Sequence, residues 1–296
     1  MKNTIEYYYN IEVSRIHQKD KTYYIFNNQY NYMLILIENL EIINEVYNLS
    51  NYLKNYNMSH QIELTKDNQL YIEIQEEKYI LLKILNYKNS ITYNEIFKMN
   101  SIIFEKNDNV LRRDDWYKLW TNKIDYFEYQ ISQSGKKYPL VTNSFSYYVG
   151  LAENAIMLYN QIDKSNLNIC LSHKRIKYND STNELYNPLN LVIDYRIRDI
   201  CEYLKDAFFY KDNIFNEIYN YIIYNNLNYD ESCLFFSRLL YPSYYFDIYE
   251  KIVSDELEEK EIKKILIKVS EYETLLKKVY YLFRQNNKLP EIEWLN

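Results

Sequence analysis

The stretch from Asn168 to Phe209 decides how this chain is interpreted. It reads Asn-Ile-Cys-Leu-Ser-His-Lys-Arg-Ile (168–176), a polar excursion, and then Leu-Val-Ile-Asp-Tyr-Arg-Ile-Arg-Asp-Ile-Cys-Glu-Tyr-Leu-Lys-Asp-Ala-Phe-Phe (191–209). The pattern predicts a short apolar strand, a loop opened by His173, a second apolar strand ending at Asp194, and a helix entered through Asp199. This is the layout of a phosphotransfer centre in which several catalytic residue types are missing.

The bulk composition excludes several classes of protein. The 296-residue chain has a net charge of -6, which disfavours a general nucleic-acid surface. It has no apolar run long enough for a membrane span, and residues 1–7 lack the apolar stretch of a secretory signal. Cys170, Cys201 and Cys233 are widely spaced in apolar contexts. We therefore expect small core residues in a reducing compartment, and synthesis in a cytoplasm.

The chain has 37 tyrosines but only 2 glycines. Drift toward AT-rich codons is the explanation that we favour for this bias. Oxidative cross-linking of tyrosines in an extracellular assembly is the alternative, and the sequence does not decide between them. The scarcity of glycine predicts that turns with positive φ fall to asparagine and aspartate, which tolerate that conformation next best.

Residues 1–87 are predicted to form a small β-rich lobe with one helix. Aromatic and β-branched segments, beginning with Glu6 to Ile16, indicate strands. Apolar residues at helical spacing indicate a helix from Leu40 to Tyr56. Residues 88–296 are predicted to form a mainly helical lobe. The fold class is therefore α+β, with the two-lobed layout of kinase-like phosphotransferases.

Within the larger lobe, the degenerate catalytic-loop region is predicted over residues 167–199. Two helices are expected before this region, from Asp114 to Gln130 and from Ser144 to Ile162. Asp114 and Asp115 are well placed at the start of the first, because carboxylates suit a helix N-terminus. The last helix is expected to run unbroken from about Asp255 to Arg284, since its acidic start and basic end also suit the helix dipole.

Phosphotransfer requires groups that this chain does not supply. The first turn, at residues 17–21, contains no glycine, and the third strand, at residues 30–35, contains no lysine to hold a phosphate. The position of the catalytic base is taken by Arg175, which stays protonated at ordinary pH and cannot accept a hydroxyl proton. Asn179 or Asn183 would have to supply the loop's metal ligand, and neither is compellingly placed.

The remaining candidate residues each have a structural interpretation. We favour a backbone hydrogen bond over acid-base work for His173, and a helix N-cap or buried acceptor for Asp199. Asp194 could be a residual cation ligand or an acceptor that stabilises the loop, although one carboxylate makes a poor Mg²⁺ site. Lys174 and Arg175 are candidates for binding an anion. Neither His17 nor His60 pairs with His173 in a recognisable spacing, and no zinc or dinucleotide pattern occurs.

Three segments of the chain carry a family resemblance. Asn-Ser-Phe-Ser-Tyr-Tyr-Val-Gly-Leu-Ala-Glu-Asn-Ala-Ile (143–156) resembles the Ser-Phe-Pro-Tyr-Tyr-Leu-Gly-Leu-x-Glu-Asn-Ala-Ile segment of the YutH-type spore coat proteins. These are relatives of the CotS spore coat proteins in the aminoglycoside-phosphotransferase-like branch of the kinase fold. Val-Ile-Asp-Tyr-Arg-Ile-Arg-Asp-Ile-Cys-Glu-Tyr-Leu (192–204) resembles their Val-x-Asp-His-Pro-x-Arg-Asp-x-Ala-Glu-Tyr-Ile. Arg-Leu-Leu-Tyr-Pro-Ser-Tyr-Tyr-Phe (238–246) is similar to their Arg-Leu-x-x-Pro-x-His-Tyr-Phe.

The resemblance extends over nearly the whole chain, in the family's order. Its most specific parts contain Glu153, Asn154, Arg198 and Asp199, to which we assign structural roles. Tyr195 replaces the family's histidine after the aspartate, and a serine replaces a proline in the first segment. The resemblance implies an endospore-forming Firmicute, synthesis in the mother-cell cytoplasm, and deposition in the spore coat with other coat proteins as partners.

Three hypotheses follow. The leading one is a pseudokinase with a structural or scaffold role in the coat, in which His173, Arg175 and Asp194 are vestigial and no cofactor binds. The alternative is a residual small-molecule phosphotransferase that uses Mg-ATP around His173 and Asp194. A weaker third hypothesis is a non-nucleotide anion held by Lys174 and Arg175.

Overall fold

The computed structural model describes residues 1–104, 111–286 and 288–295. Its strands are β1 (Arg15–Lys19), β2 (Thr22–Phe26), β3 (Asn31–Leu36), β4 (Gln61–Glu63), β5 (Ile72–Ile74), β6 (Glu77–Lys83), β7 (Ile103–Phe104), β8 (Ile169–His173) and β9 (Leu191–Tyr195). Its α-helices are α1 (Lys2–Tyr8), α2 (Ile43–Lys54), α3 (Tyr93–Asn100), α4 (Trp116–Ser134), α5 (Pro139–Asn160), α6 (Thr182–Leu185), α7 (Arg198–Ala207), α8 (Ile214–Asn225), α9 (Tyr229–Leu240), α10 (Ser243–Val253), α11 (Lys263–Leu266) and α12 (Val269–Arg284).

The chain forms two compact units, and neither is continuous in sequence. Unit 1 comprises Met1–Arg112 and Cys170–Ile193, and unit 2 comprises Arg113–Ile169 and Asp194–Asn296. Residues 168–209 are therefore divided between the two units. The loop after β8 belongs to unit 1, whereas Asp194 and helix α7 belong to unit 2. The predicted lobe boundary at residue 87 stays a prediction.

Unit 1 is built on an antiparallel sheet. Its strands lie in the order β1-β2-β3-β6-β4, and β5 also pairs with β6. The strands β7, β8 and β9 form a separate small sheet. One apolar face of the large sheet packs against α1, and the buried residues of this cluster are Ile5, Tyr9, Val13, Ile25, Tyr32, Leu34, Ile72, Tyr79 and Leu81. The strand-rich start of the chain is thus confirmed.

The predicted strand from Glu6 to Ile16 is wrong in its first half. Residues Lys2–Tyr8 form helix α1, and β1 begins only at Arg15. Ile5 and Tyr9 are four residues apart and both are buried, which is the spacing of one helix face. The aromatic composition of this segment favoured a strand, but packing of this one face against the sheet decided the outcome.

Unit 2 is predominantly helical and has an aromatic core. Tyr148 and Tyr245 stack with ring centroids 3.7 Å apart, and Trp120 stacks on Tyr241 at 4.5 Å. The expected start of α4 is confirmed at Asp115, whose Oδ1 accepts a hydrogen bond from the Lys118 amide at 3.3 Å. Within unit 2, α7 packs against α8 and α9 and carries several of the charged residues described below.

The predicted unbroken helix from Asp255 to Arg284 is wrong. The segment contains a 3₁₀ turn at Glu259–Ile262, the short helix α11 and then α12, which begins only at Val269. The Glu259 carboxylate accepts hydrogen bonds from the Leu140 and Val141 amides, at 2.7 and 3.1 Å, and so caps the start of α5. This tertiary contact has no signature in the local sequence.

Two expectations from composition are confirmed. The cysteines Cys170, Cys201 and Cys233 are free and buried. Neither glycine has a positive φ; the described positive-φ residues are Asp20, Asn57, Asn68, Gln75, Glu76, Asn213, Asn226 and Asp255. Asparagine and aspartate predominate among them, as their tolerance of the left-handed region predicts. Among the described helices, none combines the length and apolarity that a bilayer-crossing segment requires.

Candidate functional site

His173 ends strand β8 and is buried in unit 1. Its Nε2 lies 2.8 Å from the carbonyl oxygen of Leu185. A ring nitrogen that donates to a carbonyl fixes the loop and is not available to move a proton. This geometry agrees with the structural interpretation of His173.

The backbone after His173 is held by Asn190. The Lys174 amide donates to the Asn190 carbonyl at 2.7 Å, and the Arg175 amide donates to Asn190 Oδ1 at 3.2 Å. Asn190 Nδ2 returns a hydrogen bond to the Arg175 carbonyl at 2.9 Å. Sequence reasoning missed Asn190, although an asparagine before a buried strand is a common turn-forming residue. Lys174 is half-buried and Arg175 is exposed, and their anion-binding role stays a prediction.

The two candidate loop asparagines lie in different environments. Asn179 is exposed, whereas Asn183 is buried on α6. Burial raises the pKa of Tyr24 on β2, and a hydrogen bond from the Asn183 side chain opposes that rise. Asn183 therefore serves packing within unit 1.

The part of unit 1 that would hold nucleotide phosphates lacks the usual groups. The turn between β1 and β2 is only Asp20-Lys21, and β3 carries no lysine. Helix α2 follows β3 in the sequence, and Oε2 of its Glu45 is buried without a hydrogen-bond partner among the described residues.

Asp194 lies at the end of β9 in unit 2 and is fully buried. The indole nitrogen of Trp116 is 3.0 Å from both of its carboxylate oxygens, and the Tyr195 amide donates to Oδ1 at 2.6 Å. Arg198 Nε is 3.2 Å from Oδ2, and Arg238 Nη2 is 3.8 Å from the same oxygen. The protein itself therefore supplies the positive charge and the donors that this carboxylate requires.

Trp116 also positions both arginines. The guanidinium carbons of Arg238 and Arg198 lie 4.2 and 4.9 Å from the indole ring, within the range of cation–π attraction. Burial raises the pKa of Asp194 to about 6, while Arg198, Arg238 and Trp116 oppose that rise. The two arginines thus favour the ionised form of this carboxyl against the effect of burial.

The charges continue from Asp194 along α7 to the end of α9. Glu202 accepts from Arg238 Nη1 at 3.3 Å, pairs with Lys205 at 2.9 Å and accepts from Ser243 Oγ at 3.0 Å. Burial would raise the pKa of Glu202, but Lys205 and Arg238 outweigh it and hold the pKa below its usual range. Lys205 Nζ also donates to the carbonyls of Arg238 and Tyr241, at 2.9 and 3.1 Å, and so satisfies the C-terminal end of α9.

Together these side chains form a group in which acids and bases balance. We call it the buried charge cluster. It contains three carboxylates and three cations, all of them buried except the half-buried Glu202: Asp194, Asp199, Glu202, Arg198, Lys205 and Arg238. The donor set does not fit Mg²⁺, which prefers several oxygen ligands and would here meet two guanidinium groups. Within the described ranges there is also no group of three or more side chains suited to a metal ion.

Of the two roles expected for Asp199, the N-cap is wrong, because the N-cap of α7 is Ile197. Asp199 lies inside the first turn and is fully buried, which agrees with the alternative of a buried residue. An acidic residue in the first turn still interacts favourably with the helix dipole. The arginine that precedes it, Arg198, was expected to be structural and is the principal partner of Asp194.

The other residues of the resembling segments lie on α5. Asn154 Nδ2 donates to the Gly150 carbonyl at 2.7 Å, and its Oδ1 accepts from the Trp294 indole at 3.3 Å. Asn154 thereby fixes the end of the described chain to α5. Glu153, in contrast, is exposed.

His60 is a further buried polar residue, in unit 1. Its Nδ1 accepts a hydrogen bond from the Leu85 amide at 2.9 Å. Burial lowers the pKa of His60 to about 4, so the ring is neutral at physiological pH. His17 instead lies exposed on β1.

Comparison with known proteins identifies the family. The sequence matches the family described as Spore coat putative kinase YutH over residues 2–279. It is 26% identical to the endospore coat-associated protein YutH of Bacillus subtilis (strain 168), with 100% of this chain and 98% of the relative covered.

The fold is also that of solved phosphotransferases. An aminoglycoside phosphotransferase from Alicyclobacillus acidocaldarius superimposes with a TM-score of 0.66 at 9% identity, covering 96% of this chain and 97% of the other. A spectinomycin phosphotransferase in complex with ADP and spectinomycin gives a TM-score of 0.61 at 12% identity, covering 94% and 96%. These likenesses establish the aminoglycoside-phosphotransferase-like kinase fold. Since the family match spans nearly the whole sequence, the chain belongs to the YutH family of spore coat proteins with a kinase-like fold.

Proposed function

We propose that this protein is a pseudokinase that acts as a non-catalytic scaffold in the spore coat. The observation that carries the proposal is the ion pairing of Asp194. Its carboxylate is fully buried and already paired with Arg198 at 3.2 Å and Arg238 at 3.8 Å. A magnesium ion could bind there only by displacing a buried arginine, which would leave that cation without its counter-charge.

The other parts of a phosphotransfer site support the same proposal. Arg175 stands where a catalytic base is needed and stays protonated. Strand β3 carries no lysine to hold a phosphate. His173 hydrogen-bonds a backbone carbonyl. The lack of a base and of a phosphate-binding lysine, together with the pairing of Asp194 with two arginines, favours a structural role.

The location in the coat rests on the relatives. A curated relative is an endospore coat-associated protein, and the matching family is named for the spore coat. We infer synthesis in the mother cell of an endospore-forming Firmicute, deposition in the coat, and other coat proteins as partners. Immunoblotting of coat extracts from purified spores tests this inference. Detection only in the soluble spore core would contradict it.

Nucleotide binding is the decisive test of the pseudokinase proposal. The full chain is scanned by thermal denaturation with ATP or GTP, each with and without Mg²⁺. We expect no change in melting temperature. A ligand present at a hundred times its dissociation constant would stabilise the native state by about 2.7 kcal/mol, which such a scan resolves readily. Mg-ATP binding with phosphotransfer that Asp194→Ala abolishes would refute the proposal.

A second candidate function is a residual small-molecule phosphotransferase that uses Mg-ATP. The observation in its favour is the fold, which is shared with a phosphotransferase solved with ADP and spectinomycin. That mechanism would require His173 and Asp194 to leave their present partners when substrate binds. The absence of any nucleotide-induced shift in the same thermal scan would eliminate it.

A further inference from the structure

Strand β1 forms an edge of the large sheet in unit 1. Among the described residues it pairs only with β2, and four of its five residues are exposed. Its start is fixed, because the amide and the hydroxyl of Ser14 both donate to the Phe26 carbonyl, at 3.0 and 2.7 Å. The edge is therefore an ordered row of backbone groups that another strand could pair with.

The hairpin geometry determines which amides face outward. The two-residue loop Asp20-Lys21 makes Lys19 and Thr22 a hydrogen-bonded pair. Because such pairs alternate along an antiparallel ladder, the amides of Ile16 and Gln18 point away from β2. These are the donors that an added strand would use.

A groove of mixed character borders this edge. It has a volume of ≈ 420 Å³ and is lined by the apolar residues Met1, Val13, Ile16 and Tyr23 and by the polar or charged residues Lys2, Ser14, Arg15 and Gln18. Met1, Ile16 and Tyr23 pack against the core of the sheet and supply the apolar part of this surface. On the opposite face, Arg15, His17 and Lys19 follow each other at every second position, and all three are exposed. This basic row lies in a chain whose net charge is -6.

We propose that β1 is a docking edge for an extended segment of a partner protein in which acidic and apolar residues alternate. Paired beside β1, such a segment places its apolar side chains over the part of the groove formed by Met1, Ile16 and Tyr23, and its carboxylates beside Arg15, His17 and Lys19. Opposite charges on neighbouring strands stabilise the pairing, whereas like charges destabilise it. The basic row therefore excludes a second copy of β1 and accepts an acidic strand.

This docking edge rests on the proposed scaffold role, and its test uses a peptide instead of a nucleotide. Failure of the docking edge and failure of the pseudokinase proposal therefore give different results. The probe is a fluorescein-labelled peptide, Glu-Val-Glu-Val-Glu-Val-Glu, added to the full chain at low ionic strength and followed by fluorescence anisotropy. We expect saturable binding that weakens as salt screens the charges.

Three comparisons make the test specific. The double variant Arg15→Glu/Lys19→Glu is expected to bind the peptide at least about tenfold more weakly, since it turns attraction into repulsion. The matched variant Lys54→Glu/Lys98→Glu changes the net charge equally at exposed sites outside β1 and is expected to keep the affinity. A fully backbone N-methylated peptide keeps every charge but no donor, and is expected not to bind.

Several results would overturn the proposal. The first is the absence of saturable binding of the acidic peptide. The second is an equal affinity of the protein for a peptide in which lysine replaces every glutamate. The third is a loss of peptide affinity in Lys54→Glu/Lys98→Glu that equals the loss in Arg15→Glu/Lys19→Glu. Efficient displacement of the peptide by a single-stranded oligonucleotide would instead identify a general polyanion surface and would also overturn it. Circular dichroism of each variant verifies that the sheet is retained.

Discussion

Asp194 offers the sharpest separation between a structural and a catalytic interpretation of the buried charge cluster. The change is Asp194→Asn, which keeps the shape of the side chain and removes its charge. Arg198 and Arg238, which are 4% and 1% exposed, then lose a counter-ion at 3.2 and 3.8 Å. Removing one partner of a buried ion pair costs about 3–5 kcal/mol. We therefore expect the free energy of unfolding of unit 2 to fall by that amount.

A compensating variant tests the physical reason. Asp194→Asn combined with Arg198→Met removes one charge of each sign, so the cluster is again balanced and Arg238 keeps Glu202. We expect the double variant to be about 1–3 kcal/mol more stable than the sum of the two single effects predicts. The exposed Asp125→Asn on α4 is the matched control, with an expected change within about 0.5 kcal/mol.

Urea denaturation followed by tryptophan fluorescence measures these effects directly. The chain has 3 tryptophans, Trp116, Trp120 and Trp294, and all of them belong to unit 2. Wild-type stability of Asp194→Asn, together with a loss of Mg-ATP binding, would show that the carboxylate serves a metal and that our reasoning is wrong. Strict additivity in the double variant would show that Arg198 is not its partner.

Two further predictions concern other parts of the molecule. The folded state lowers the pKa of His60 from 6.5 to about 4, so only the unfolded chain takes up this proton as the pH falls through that range. Between pH 6.5 and pH 4 we therefore expect the free energy of unfolding to fall by roughly 3 kcal/mol more in the wild type than in His60→Gln. Urea titrations followed by circular dichroism measure this difference. An equal dependence of the unfolding free energy on pH in the two proteins would contradict it. Gly150→Ala in α5 should stabilise by about 0.5–1 kcal/mol, because the added carbon meets nothing within 4 Å apart from the neighbouring backbone of its own helix. Gly135→Ala should stabilise the protein less than Gly150→Ala, or destabilise it, because its added carbon would lie 3.0 Å from the Thr142 hydroxyl oxygen. An equal rise in melting temperature in the two variants would refute the packing argument.

Much of the fold could be predicted because its signals are local. The order strand, loop, strand and helix around His173 and Asp194 follows from apolar periodicity and is present in the structure. The missing lysine and the substitution at Arg175 can be read from the sequence as well. Helix α1 was missed because its aromatic residues favoured a strand, and only packing against the sheet revealed the helical face.

The partners in the candidate site could not be predicted in the same way. Trp116 and Asp194 are 78 positions apart in sequence, and their contact depends on the tertiary fold of unit 2. Arg238 reaches Glu202 from 36 positions away. A single carboxylate at Asp194 looks the same in the sequence whether it holds a cation or an arginine. Only the geometry decides between the two.

The discontinuity of the two units has a consequence for how this gene can be divided. The chain passes between the units at residues 112–113, 169–170 and 193–194. A cut at any one of these points therefore leaves at least one fragment without part of its own fold. Neither unit can therefore be produced on its own from one continuous piece of the sequence.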